Sequence, residues 1–229
     1  YLLTGDCSAQ GRVWTYAIDE RGLVTSERPV HKQKMAVVRN HPSASASIYA
    51  SLVHQAPHRL RRIAVHPNGN YVYILYETHN VIQVYEITPN GKIIADCLQE
   101  IPCIDASFFD SWKPVGLAIN GAGEMVATED GIWVSNRGST TLVGRAESSL
   151  RFFAYEQGGA KLVCEQTLEV SGPVRHFLHN HKNNTIYSGV NKETPGLVET
   201  FRKQDDGTYQ KTGQAAVGMD VMCIAAVEE

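Results

Sequence analysis

An all-β fold of short antiparallel strands is what this sequence predicts, and three observations predict it. Runs of about five to seven residues rich in Val, Ile and Tyr alternate with Gly- and Asn-containing turns, about eight to twelve residues apart. Helical periodicity is nearly absent, and the same strand order returns along the chain.

The elements follow in order. Residues 1–30 read as a partial unit of three strands, at 1–6, 12–19 and 23–30. Residues 31–57, rich in His, Ser and Ala, read as a loop insertion. In the unit 58–105, Arg62-Ile63-Ala64-Val65 is the first strand, and His66-Pro67-Asn68-Gly69-Asn70 turns the chain into Tyr71-Val72-Tyr73-Ile74-Leu75-Tyr76-Glu77. Val81-Ile82-Gln83-Val84-Tyr85-Glu86-Ile87 is the third strand. The unit 113–170 repeats the order with Gly116-Leu117-Ala118-Ile119-Asn120, Ile132-Trp133-Val134-Ser135-Asn136-Arg137, Leu150-Arg151-Phe152-Phe153-Ala154-Tyr155 and a strand opening at Gly159. The unit 173–217 repeats it with Arg175-His176-Phe177-Leu178-His179, Ile186-Tyr187-Ser188-Gly189-Val190-Asn191, Leu197-Val198-Glu199-Thr200-Phe201 and a strand opening at Asp206. Residues 219–227 read as a closing strand.

Matching positions lie about 50 to 70 residues apart and each unit holds four strands, the period and content of a β-propeller blade. A single blade cannot bury both of its faces, so blades stack around an axis. The sixteen strands read here would close a ring of four blades. The mid-blade opening favours a different expectation, that the chain is the C-terminal four to five blades of a larger ring completed by an N-terminal part of the same protein.

Composition narrows the function. With 229 residues, 43% of them apolar, and a formal net charge of −3, the chain lacks the basic footprint of a nucleic-acid binder. Its apolar runs fall far short of the roughly 20 residues that cross a bilayer. The five cysteines are an odd set without C-x-x-C spacing and read as buried thiols. His176, His179 and His181 have no acidic partner at ligand spacing, so neither a metal nor another cofactor is expected. Asn183-Asn184-Thr185 is a glycosylation sequon, usable in a secreted protein, and the compartment stays open between cytoplasm and secretion.

His66-Pro67-Asn68-Gly69-Asn70-Tyr71-Val72-Tyr73 with Glu77, Ser135-Asn136-Arg137 and Val174-Arg175-His176-Phe177 together resemble the seven-bladed lactonase family, which includes 6-phosphogluconolactonase and the fungal carboxy-cis,cis-muconate cyclase. The opening Leu2-Leu3-Thr4-Gly5-Asp6 and the closing Gly218-Met219-Asp220-Val221-Met222-Cys223 extend the resemblance over nearly the whole chain. The resemblance implies a His-Pro-Arg type run at a blade start, where Arg59-Leu60-Arg61 stands. It also implies an acidic residue at the start of the next blade, a position that falls at or next to Gly116 without a carboxylate.

Superposing the copies in sequence puts Arg62, Gly116 and Arg175 at one place on the innermost strands, where Arg62 and Arg175 would serve catalysis by gripping an oxyanion. Glu77, Arg137, Asn191, His176 and Trp112 are the candidates for binding substrate, the first three from a polar ring with Asp6 at the ends of second strands. With the His and the acid missing, the expected activity is cyclisation or isomerisation of a small oxygenated molecule by binding and polarisation. A cycloaddition like those promoted by fungal natural-product proteins similar to this family fits that description. Lactone hydrolysis and a non-catalytic binding propeller are the alternatives.

Overall fold

The computed structural model describes residues 1–5, 12–35, 59–77, 79–105, 121–138, 148–191, 195–218 and 221–225. Across them the chain is strand and turn, with a 3₁₀ turn at Gln157–Gly159 and no helix long and apolar enough to cross a membrane. Four antiparallel sheets follow one another in chain order. The first holds β1 (Leu2–Gly5), β2 (Arg12–Tyr16) and β3 (His31–Lys34). The second holds β4 (Leu60–Val65), β5 (Tyr71–Tyr76), β6 (Val81–Glu86) and β7 (Gln99–Pro102). The third holds β8 (Ala122–Ala127), β9 (Gly131–Arg137), β10 (Ser148–Glu156) and β11 (Lys161–Glu169). The fourth holds β12 (Val174–Asn180), β13 (Thr185–Val190), β14 (Gly196–Lys203) and β15 (Tyr209–Val217). In each sheet the neighbour in sequence is the neighbour in space, the meander of a propeller blade.

Strand alternation explains why blades stack. Along β5, Val72, Ile74 and Tyr76 enter a core shared with Val13 of the first sheet, while Tyr73 and Leu75 enter a core shared with Ile132 and Val134 of the third. Along β9, Trp133 points the opposite way from Ile132 and Val134, into a core with Phe177, Ile186 and Phe201 of the fourth sheet. A strand with both faces covered needs apolar residues at consecutive positions, which is why these runs are continuous rather than alternating.

Three points differ from the sequence expectation. The third strand of the first sheet is His31–Lys34 rather than residues 23–30, which places its ladder inside the expected insertion. The reason is a wide turn held by Asp19, whose carboxylate accepts the backbone N–H of Arg21 and of Leu23, each at 2.9 Å. The inner strand of the third sheet is Ala122–Ala127, and the expected strand at 116–120 lies outside the described residues. Of the expected closing strand at 219–227, residues 221–225 are described and pair with no described strand of this chain, in keeping with a partner strand outside it. Cys103 is buried, but Cys97 is half-buried and Cys164 and Cys223 are exposed, and none of these four forms a disulfide.

Candidate functional site

The inner strands β4, β8 and β12 lie side by side, and their ladders set a common register. Each breaks pairing near its start: between Leu60 and Arg62, between Ala122 and Met125, and between Val174 and His176. Leu60 faces Tyr76, Ala122 faces Asn136 and Val174 faces Val190, so counting along from these pairs aligns Arg62, Glu124 and His176. A bulge re-aims the side chain that follows it, and three bulges at one level turn these three side chains toward one another.

Glu124 is the centre of the group and is 6% exposed. The Arg62 guanidinium grips it in a fork: Nε donates to Oε1, and Nη2 donates to Oε2 at 2.6 Å. The backbone N–H of Met125 also donates to Oε1, at 3.0 Å. His176 Nε2 lies 3.7 Å from Oε2. The other ring nitrogen, Nδ1, accepts the backbone N–H of Ile224 at 3.1 Å, so in neutral His176 the proton is on Nε2 and faces the carboxylate. Cys223 Sγ lies 3.9 Å from the same Nε2.

Close backbone packing supports the arrangement. The backbone N–H of Glu124 donates to Ser135 Oγ at 2.8 Å, and that hydroxyl donates to the Val174 carbonyl at 3.2 Å. Gly123 sits where a Cβ would run into that same carbonyl and hydroxyl, so the position before Glu124 requires glycine.

The structure thus corrects two expectations. A carboxylate does stand at the inner-strand start of the third sheet, and it is Glu124. The equivalent of Arg62 is His176, and Arg175 aligns one residue earlier, with Arg61 and Gly123. Arg175 is exposed, whereas Arg61 Nε donates to the Gly123 carbonyl at 2.9 Å. Glu77 and Arg137 form an ion pair with each other across the boundary between the second and third sheets. Asn191 Oδ1 accepts the Val221 N–H at 2.6 Å, so its amide anchors the C-terminal segment. Trp112 and Asp6 lie outside the described residues.

Sequence reasoning misses Glu124 because the turn between β8 and β9 is short. Ala127 pairs with Ile132 across the four residues 128–131, whereas Val65 pairs with Val72 across the six residues 66–71. Counting back from Ile132-Trp133-Val134 across a four-residue turn finds Glu124, whereas placing the inner strand on the apolar run 116–120 overshoots it by eight residues.

At the far end of the same strands a cavity of about 680 Å³ opens between the third and fourth sheets, lined by Trp133, Phe152, Tyr209, His179, His181 and Asp130 among others. Among the described residues its lining holds no buried, forked ion pair of the kind built around Glu124. Burial, reinforced by the nearby charges of His181 and Lys203, lowers the His179 pKa to about 4. The unfolded chain takes up that proton near pH 6.5, so between these values it binds more protons than the folded chain. Stability is therefore level above pH 6.5 and falls by about 2–3 kcal/mol as pH drops to 4. Urea midpoints across that range, in buffer with a chelator, check it, and His179→Gln flattens the slope.

Comparisons with known proteins agree with this architecture. Residues 43–226 match the family model described as lactonase, 7-bladed beta-propeller. The chain is 25% identical over 166 residues to the 6-phosphogluconolactonase of Enterobacter sp. (strain 638), covering 72% of this chain and 45% of that protein. A candidate 6-phosphogluconolactonase structure from Bacteroides uniformis superposes with a TM-score of 0.65 at 15% identity, over 97% of this chain and 53% of that one. The periplasmic gluconolactonase PpgL of Pseudomonas aeruginosa gives 0.55 at 15% identity, over 95% and 67%. The chain thus spans about half the length of the first of these relatives.

Proposed function

Because the chain belongs to the seven-bladed β-propeller lactonase family, we propose that it carries part of the catalytic channel of a lactone hydrolase, the remaining wall coming from blades outside it. The observation that carries this reading is Glu124, a carboxylate held between an arginine and a histidine at the start of the inner strands. Glu124 takes a proton from water as the water attacks the lactone carbonyl. Arg62 and the Nε2–H of His176 stabilise the oxyanion that develops. The ring C–O bond then breaks, and the proton on Glu124 passes to the departing ring oxygen, which leaves a hydroxy acid. Ring closure of an unsaturated acid uses the same groups for proton transfer, without water. A cycloaddition by polarisation alone would leave Glu124 without a proton to move, and the carboxylate therefore favours hydrolysis over it.

Arg175, exposed one residue before His176, is the residue we assign to hold an anionic substituent of the substrate. The test is turnover of 6-phosphogluconolactone, gluconolactone and a muconate by the full-length protein. Hydrolysis of a lactone well above its spontaneous rate is expected. Arg175→Ala should raise KM for the phosphorylated lactone about tenfold, the worth of one charge-assisted hydrogen bond, with kcat and the KM of gluconolactone little changed. No acceleration of any lactone, with a muconate cyclised instead, would replace hydrolysis by ring closure.

A further inference from the structure

We propose that His179 and His181, at the cavity remote from Glu124, form a binding site for a divalent transition-metal ion of the Ni²⁺, Cu²⁺ or Zn²⁺ kind, with water completing its coordination. The two histidines come from the end of β12 and the turn after it, and their Nδ1 atoms lie 3.3 Å apart. That separation is the edge of a tetrahedron whose zinc–nitrogen bonds are about 2.0–2.1 Å, and a small turn of the exposed His181 ring brings it to the shorter right-angle edge that Cu²⁺ and Ni²⁺ take.

Nitrogens facing each other so closely need something between them. Without a metal, one Nδ1 must carry a proton and donate it to the other; a metal takes both lone pairs instead. The outer contact of His179 suits ligation, because its Nε2 lies 2.8 Å from Tyr209 Oη. An Nε2–H donated to that oxygen orients the ring and leaves the Nδ1 lone pair on the cavity side.

Charge and space agree with a cation. Glu129, Asp130 and Glu165 line the cavity with Lys203 as the cation among its lining residues besides the histidines, and Asp130 pairs with Lys203 at 3.6 Å. A dication therefore enters a region of net negative charge. Among the described residues no three His, Cys, Asp or Glu side chains converge as a ready-made metal cage. A two-histidine chelate of moderate affinity is the result, and imidazole ligands place Cu²⁺ and Ni²⁺ ahead of harder ions such as Mg²⁺.

Titration calorimetry with NiCl₂ on the full-length protein tests the site. One Ni²⁺ per chain is expected, and His181→Ala should weaken binding at least tenfold. His181 is exposed, so this variant keeps its fold, which circular dichroism and the thermal midpoint check. Cys164→Ser and Cys223→Ser remove the exposed thiols as rival ligands and should leave the Ni²⁺ affinity unchanged. Absence of binding at millimolar Ni²⁺, equal binding by His181→Ala, or loss of binding in either cysteine variant would overturn the proposal.

Discussion

Glu124→Gln is expected to lower kcat/KM for lactone hydrolysis by about two to three decades. It should lower the thermal midpoint less than Arg62→Met does, although the glutamine NH₂ must face one of the donors that the carboxylate accepts. The amide keeps the shape of the carboxylate and an oxygen that accepts from Arg62, but it cannot take a proton from water. The loss should fall on kcat, since proton transfer is made in the transition state and not in the bound substrate. Arg62→Met is the informative contrast. It leaves the buried Glu124 carboxylate without its forked partner, so it should reduce stability as well as rate. If Glu124→Gln retained wild-type turnover while Arg62→Met lost it, the carboxylate would be a positioning group for arginine. Catalysis would then proceed by polarisation, as the sequence alone predicts.

Trp133→Ala should cost about 3–5 kcal/mol, the largest stability effect expected from a single core substitution in this chain. Trp133 is 2% exposed and forms the seam between the third and fourth sheets. Its ring lies 5.1 Å from Phe152 and 5.1 Å, edge-on, from Tyr209, so removing it strips two aromatic contacts and opens a cavity that strands on either side cannot close. The urea midpoint should fall by more than about 1 M, and Trp133→Phe should recover most of the loss. A change below about 1 kcal/mol would mean that the two blades do not depend on this contact.

The blade pattern is legible in the sequence because it is written in local chemistry. Tyr71 to Tyr76 and Ile132 to Arg137 are strands by composition, and the turns at Gly69 and Gly207 supply the positive φ, 76° and 85°, that hairpin connections use. Repetition of these units then requires stacking, because β5 has apolar side chains on both faces. Arg62 stands out for the same reason, as a polar residue on a strand that must be inner, whereas its partner in register is His176 rather than the expected Arg175.

Glu124 is not legible in that way. Glycine and glutamate are poor strand formers, so the apolar run at 116–120 draws the inner strand away from Ala122-Gly123-Glu124, which the ladder with β9 and the backbone of Val174 packed on Gly123 make a strand. The pairing of Glu77 with Arg137, and the use of Asn191 to hold Val221, likewise depend on contacts between segments about 30 to 60 residues apart in sequence. Local residue order is enough to specify repeated four-stranded blades with polar residues at their inner strand starts. Which of those residues meet depends on how the blades pack. Strand identity follows from side-chain alternation within a few residues, whereas the convergence of Arg62, Glu124 and His176 follows from three bulges brought to one level by contacts between sheets.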